Sequence, residues 1–326
     1  MPELTFREAL RQALREEMQR DERVFLMGED IGAYGGSYAV TRGLLEEFGE
    51  KRVKDTPIAE AAIVGLATGA AIGGLKPVAE LMTINFSLLA ADQIINHLAK
   101  IYYMFGGQFT APAVIRTAAG WGQLGATHSQ FLEVIYSYVP GLKVVMPATP
   151  YDAKGLLKAA IRDEDPVLFI EHTLLYGIRG EVPEGDYVVP IGLADIKRPG
   201  RDVTIVSYAR MVHVALNAAR QLETEGVDCE IVDLRTLRPL DIETVIESVK
   251  KTNHVVVIEE DWKSFGVGAE VAARIVEQAF DYLDAPVVRV GMLEVPMPYN
   301  RNLERHVVPD EADVVEAVRS VVGSRV

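Results

Sequence analysis

Among 326 residues there is a single cysteine, Cys229, and there are two tryptophans. A lone thiol excludes a disulfide framework and a cysteine-rich zinc site, and it fits a reducing compartment. The six histidines do not fall at metal-ligand spacings. Positive charge is in deficit: 33 Lys and Arg against 47 Asp and Glu leave a formal charge of −14. That balance argues against nucleic acid and anionic membranes as principal partners. Long hydrophobic runs are missing as well. The apolar stretch from Ala61 to Leu75 has 15 residues, five of them Ala and four Gly, whereas a membrane span needs about 20 apolar residues. The N-terminal segment carries both signs of charge and no secretory hydrophobic region. The expected location is the cytoplasm, or the mitochondrial matrix or a plastid in a eukaryote. Two enzyme signatures are absent: no Gly-x-Ser-x-Gly nucleophile elbow, and no P-loop lysine after the glycines at 32–36. Gly266-Val-Gly268 follows a strand but lacks the third glycine of a dinucleotide fingerprint.

What is present points to a globular α/β chain. Hydrophobic content is 49% and charged content 25%, and the length suggests roughly two domains. Thr5 followed by Glu8 predicts a capping box, and Phe6, Ala9, Leu10, Ala13, Leu14 and Met18 recur at helical spacing. Strand and helix signals then alternate to the end of the chain. Continuous apolar runs such as Val255-Val-Val-Ile258 predict strands covered on both faces, hence parallel sheets. Long helical stretches are expected at Ala59–Gly74 and Leu88–Tyr103. The glycines and prolines between 177 and 202 mark a linker. The expected organisation is two parallel-sheet α/β domains, 1–180 and 201–326, joined by a linker at 181–200.

Three segments could carry chemistry. In Asp55-Thr-Pro-Ile-Ala-Glu60, Thr56 could cap a helix with Pro57 in its first turn, leaving Glu60 favoured by the helix dipole. Gly65, Gly69 and Gly73 follow on one face, where a stripe without side chains admits a close neighbour. A carboxylate beside so apolar a helix is expected to be desolvated and equipped to share a proton with a ligand nitrogen. The plain alternative is a first-turn acid in a capped helix. In Met82-Thr-Ile-Asn-Phe86, at a predicted C-terminal strand end, Phe86 could stack on a flat heterocycle or belong to the core. In the glycine-rich loop Gly120–Gln130, His128 could donate a proton or hold a carboxylate, or be ordinary polar surface.

The runs GEDIG at 28–32, DTPIAEAAIVG at 55–65, MTINF at 82–86, AKxYYxxGG at 99–107, HSQ at 128–130, PGLKVV at 140–145 and VPMPY at 295–299 span nearly the whole chain. Together they resemble the β subunit of thiamine-diphosphate-dependent 2-oxo acid dehydrogenases. The resemblance implies a transketolase-like pyrimidine-binding domain followed by a transketolase C-terminal domain. It implies an α2β2 heterotetramer, with an α subunit supplying the diphosphate and Mg2+ half of the site. The Gly-Asp-Gly motif of that half is missing here, since Gly185-Asp186 is followed by Tyr187. Carried over, Glu60 matches the residue that hydrogen-bonds the pyrimidine, and Met82 and Phe86 match its packing. Glu29 matches an acid on a polar path between active sites. His128 matches a group at the substrate and lipoyl end. A monovalent cation, usually potassium, is implied near Ala113, Ala160, Asp163 and Asp165, held largely by backbone oxygens. The resemblance also implies docking to a lipoyl acyltransferase core through the C-terminal domain. MTINF and EHTLLYG favour pyruvate over branched-chain 2-oxo acids or acetoin. A split transketolase half and a non-catalytic scaffold subunit are the competing readings.

Overall fold

The computed structural model describes residues 2–323. They form two compact units. One takes the chain up to Gly120 together with Ile135–Ile191; the other takes Trp121–Val134 and the residues from Gly192 onward.

The first unit opens with β1 (Glu3–Thr5) and α1 (Phe6–Arg20). Thr5 Oγ1 accepts the Glu8 N–H at 3.2 Å, and the Glu8 carboxylate accepts the Thr5 N–H at 2.8 Å, so two helix-end donors are satisfied reciprocally. The six apolar residues at helical spacing are all buried. There follow β2 (Val24–Gly28), α2 (Leu44–Phe48), β3 (Val53–Asp55), α3 (Glu60–Ile72), β4 (Lys76–Leu81), α4 (Ile101–Met104), β5 (Val114–Ala119), α5 (Glu133–Ser137), β6 (Lys143–Val145), α6 (Pro150–Arg162), β7 (Val167–His172) and β8 (Arg179–Glu181). Helices α1 and α6 pack together, and Glu17, wholly buried, takes a two-pronged ion pair from Arg162. Six strands of this unit run parallel in the order β6-β7-β5-β4-β2-β3. Successive connections leave β2 in opposite directions, to β3 on one side and on to β4 on the other. The crevice outside the carboxyl ends of β2 and β4 is therefore the topological switch point, where α/β sheets bind ligands. Gly28, the last residue of β2, lies where a Cβ would come within 2.7 Å of the Glu80 carbonyl.

The second unit holds β9 (Asp195–Arg198), β10 (Val203–Ser207), α7 (Arg210–Glu223), β11 (Cys229–Asp233), β12 (Thr236–Arg238), α8 (Ile242–Thr252), β13 (Val255–Trp262), α9 (Val267–Ala279), β14 (Val288–Met292), α10 (Arg301–Val307) and α11 (Glu311–Val322). Its sheet has the order β14-β13-β10-β11-β9, parallel except for β9. Val255 to Ile258 are buried throughout, as a strand covered on both faces requires. Burial pushes the Cys229 thiol up to about 12, so this cysteine is a small core residue.

Two local expectations need correction. Thr56 does not cap α3: its N–H bonds the Gly28 carbonyl at 2.9 Å, the chain stays extended before Pro57, and the helix begins at Glu60 with Ala59 as an N-cap residue that makes no side-chain bond. The stretch Leu88–Tyr103 is not one helix. It is a 3₁₀ turn over Ile84–Ala90, a π-helical segment over Gln93–Leu98, and the short α4. Local side-chain bonds compete with the regular ladder there: Ser87 Oγ to the Ile84 carbonyl at 2.5 Å, Asn85 to Thr83 at 2.7 Å and Asn96 to Asp92 at 2.8 Å. Within the glycine- and proline-rich stretch 181–200 regular structure is confined to Glu181, the end of β8, and to β9, and residues 182–194 form no helix or strand. β8 pairs with β1, Val189 enters the first core, and β9 pairs with β11.

Candidate active site

The switch-point crevice of the first unit is built by strand ends. Gly28 pairs with Asp55 on one side and with Glu80 on the other. Asp55 Oδ1 accepts the Gly32 N–H at 2.6 Å and so ties the glycine loop after β2 to the end of β3. Glu29 and Asp30 lie between them, Asp30 in a left-handed conformation at φ 54°. Burial raises the Glu29 carboxyl, and the charges of Asp30 and Glu60 raise it further. Glu29 and Glu60 therefore share one acidic neighbourhood.

Glu60 is 7% exposed and is the first residue of α3. Among the described residues its side chain takes part in no hydrogen bond and no ion pair. A buried carboxyl normally finds a donor, so Glu60 is an acceptor held ready at the positive end of a helix. The glycine stripe behind it is open on this chain: a Cβ at Gly65 would meet only the Gln93 side chain, at 3.5 Å, and one at Gly69 would meet nothing within 4 Å. Met82 and Phe86 are half-buried where β4 ends and the 3₁₀ turn begins. Ser87 in that turn is anchored by the Tyr136 hydroxyl at 2.6 Å.

Sequence reasoning missed the polar network within the sheet. Arg116 on β5 bonds Glu171 on β7 through Nε and Nη2, at 2.5 and 2.8 Å, and Glu80 on β4 through Nη1 at 2.6 Å. The Tyr176 hydroxyl donates to Glu171 at 2.7 Å. Arg116 is 2% exposed and Glu171 is fully buried. Burial raises the Glu80 carboxyl, while the two glutamates hold Arg116 firmly charged. The available signal was a charged residue inside each of two apolar runs, Val-Ile-Arg-Thr and Phe-Ile-Glu-His.

Two of the expected potassium ligands, Asp163 and Asp165, hold an ammonium group. Asp163 takes the Lys143 ammonium through both carboxylate oxygens, at 2.8 and 2.7 Å, and Asp165 takes it at 3.1 Å. The Ala113 carbonyl accepts the Val167 N–H at 3.0 Å, and Ala160 is buried in the last turns of α6. Lys76, 5% exposed, points its ammonium at the carbonyls of Ile161, Arg162 and Asp163 at 3.2–3.4 Å and at Glu164 at 3.1 Å. Two ammonium groups thus sit among the carboxylates and carbonyls around Asp163, and no step is derived through a further cation.

His128 belongs to the second unit, and the structure does not join it to Glu60 within one unit. It is exposed, with Nδ1 2.9 Å from Thr127 Oγ1. The loop that carries it is fastened to a buried acidic group at the end of β13. Trp121 Nε1 donates to Glu260 at 2.5 Å, and Tyr208 donates to Glu133 at 2.9 Å. Burial above all, reinforced by mutual repulsion, raises Glu133 and Glu259 to about 7 and Asp261 to about 9. Among the described residues no three His, Cys, Asp or Glu side chains group to hold a metal ion, and no helix is long and apolar enough to cross a membrane.

Residues 2–179 match the transketolase pyrimidine binding domain, and residues 192–314 match the transketolase C-terminal domain. The chain aligns with the solved structure of a split-gene transketolase in an inactive β4 tetramer, with a TM-score of 0.80, 27% identity and 98% of each chain covered. The transketolase from Leishmania mexicana shares the fold, with a TM-score of 0.73 at 17% identity, over 99% of this chain and 46% of that one. Fold and strand-end site thus define a two-domain α/β protein of the transketolase type.

The sequence relatives are more particular. The pyruvate dehydrogenase E1 component subunit beta of Rhizobium meliloti (strain 1021) is 53% identical over 98% of this chain and 70% of that protein. The same subunit of Rickettsia felis is 51% identical over 98% of both, and the mitochondrial one of Bos taurus is 49% identical over 98% of this chain and 91% of that protein. This chain belongs to the family of pyruvate dehydrogenase E1 component β subunits.

Proposed function

We propose that this chain, joined to an α subunit in an α2β2 heterotetramer, carries out the oxidative decarboxylation of pyruvate and the reductive acylation of a lipoyl group. The observation that carries the reading is Glu60: a nearly buried carboxyl with no partner, at the start of a helix, beside a strand-end crevice. It fits the hydrogen-bonding requirement of an aminopyrimidine ring, which needs an acceptor kept out of water. Thiamine diphosphate, when bound, supplies an electron sink for the decarboxylation of a 2-oxo acid. Glu60 would hold a proton against the pyrimidine nitrogen, and this contact gains strength from the low dielectric around it. Met82 and Phe86 would pack on the ring and exclude water. Glu29, its carboxyl raised by burial and by the charges of Asp30 and Glu60, would lie on a polar path between active sites. His128 would bind the substrate or steer the acyl group toward the lipoyl arm. The diphosphate and Mg2+ would rest on the α subunit. The acidic second domain would meet the lipoyl acyltransferase core, where complementary charge speeds encounter. The cytoplasm, or the matrix in a eukaryote, is the compartment that suits this role.

The likeness to a split-gene transketolase keeps one rival, a half-enzyme acting on sugar phosphates. Co-expression with an α subunit separates them. The reading expects a heterotetramer that decarboxylates pyruvate with thiamine diphosphate and Mg2+ and passes the acyl group to a lipoyl domain. Turnover of sugar phosphates without pyruvate decarboxylation would overturn it.

A further inference from the structure

The loop 121–134 is fixed at both ends and exposed in the middle. Its backbone enters the left-handed region at Gly122, Gln123 and Gly125, with φ values of 133°, 61° and 77°. Glycine adopts such angles freely, but Gln123 does so at a cost and stays there only if its surroundings hold it. What holds it is Glu304 on α10. Glu304 Oε1 accepts the Gln123 N–H at 2.6 Å and the Gly122 N–H at 3.3 Å, and the residue is fully buried. Its other oxygen, Oε2, is also buried and has no hydrogen-bond partner. Arg301, one turn earlier on α10, donates to the Gln123 side chain at 2.9 Å, and the Tyr299 ring lies 3.7 Å from where a Gly125 Cβ would stand. Other anchors of the loop, at Trp121 and Glu133, bind side chains. Glu304 instead grips two successive main-chain N–H groups, and so sets the direction in which the chain leaves toward Gly125 and His128. Consecutive amides converging on one carboxylate form a compact anion nest. Here the anion is the protein's own.

We propose that Glu304 is a positioning residue: by holding the Gly122 and Gln123 amides it fixes the loop that presents His128 for acyl transfer. The role in acyl transfer rests on the proposed function; the clamp itself does not. The test uses the α2β2 assembly with Glu304→Ala, Glu304→Gln, His128→Ala and the double variant Glu304→Ala/His128→Ala. Gln retains one acceptor oxygen of the same reach; Ala retains none. Hydrogen exchange at Gly122 and Gln123 is expected to quicken about tenfold to a hundredfold in Glu304→Ala and to stay near wild type in Glu304→Gln. Acylation of a lipoyl domain is expected to fall about tenfold or more in kcat/KM for Glu304→Ala, with decarboxylation measured through an artificial electron acceptor much less affected. In the His128→Ala background Glu304→Ala should add little, because it acts through the same residue. Unchanged exchange at the two amides in an intact Glu304→Ala tetramer would overturn the clamp. Full additivity of the two substitutions would overturn the route through His128. If His128→Ala leaves acyl transfer untouched while the amides loosen in Glu304→Ala, the clamp stands and the reading of His128 fails.

Discussion

Asp261 offers a quantitative check on the buried acids of the second unit. It is 4% exposed, its Oδ1 accepts the Trp262 N–H at 2.7 Å, and burial, with Glu133, Glu259 and Glu294 nearby, raises its carboxyl to about 9. In the unfolded chain it ionises near its ordinary value of 3.8. Below that value both states are protonated and the group is neutral toward folding. As pH rises, the unfolded chain releases the proton and the folded chain retains it, so stability falls by about 1.4 kcal/mol per pH unit until the folded value is reached. Asp261→Asn places a permanently neutral side chain with the same acceptor oxygen at that position and removes this slope. Relative to wild type the variant should gain about 3 kcal/mol between about pH 5 and pH 7. That corresponds to a widening of the melting-temperature gap by about 5 °C or more. Thermal and urea unfolding of the full chain, both proteins at matched ionic strength, read it directly. A gap that stays constant from pH 5 to pH 7, or narrows, would refute the assignment of a retained proton to Asp261.

Two further outcomes follow from the first unit. Lys76→Met strips the carbonyls of Ile161, Arg162 and Asp163 of their donor and should cost about 1–3 kcal/mol; potassium should recover part of that loss in the variant. Wild-type melting should be the same in potassium and choline chloride, and stabilisation of wild type by potassium alone would contradict the seating of Lys76. Arg116→Leu leaves Glu80 and Glu171 buried without their shared cation and should cost about 3–5 kcal/mol near neutral pH. Urea unfolding should show the loss shrinking as the medium is acidified and Glu80, whose carboxyl burial raises, takes up its proton; a loss independent of pH would speak against the ion network.

How much of this could be read in advance depended on distance along the chain. The Thr5–Glu8 box and the buried face of α1 are local patterns, and both are present in the structure. The parallel sheets were legible because both-face burial writes itself as unbroken Val and Ile runs. Glu60 stood out because an acid opening a helix of small apolar residues is unusual. The absence of a Thr56 cap was not legible, since the commitment of the Thr56 N–H to Gly28 is tertiary and leaves no local trace. The same holds for the irregular turns after β4, where Ser87 and Asn85 bonds override helical periodicity. The polar constellations were invisible for a simpler reason. Arg116 meets Glu171 across 55 positions, Gln123 meets Glu304 across 181, and Trp121 meets Glu260 across 139. No periodicity links such pairs; only the strand order brings them together.

The most direct measurement is the decarboxylation rate of Glu60→Gln in the tetramer reconstituted with an α subunit, thiamine diphosphate and Mg2+, with assembly and melting checked in the same samples. The amide keeps the size of the side chain and loses its ability to share a proton. The proton contact of Glu60 predicts a fall in kcat of about a hundredfold to ten-thousandfold with the tetramer intact. A variant that assembles and turns over pyruvate within about twofold of wild type, a margin too small for a lost proton contact, would contradict it.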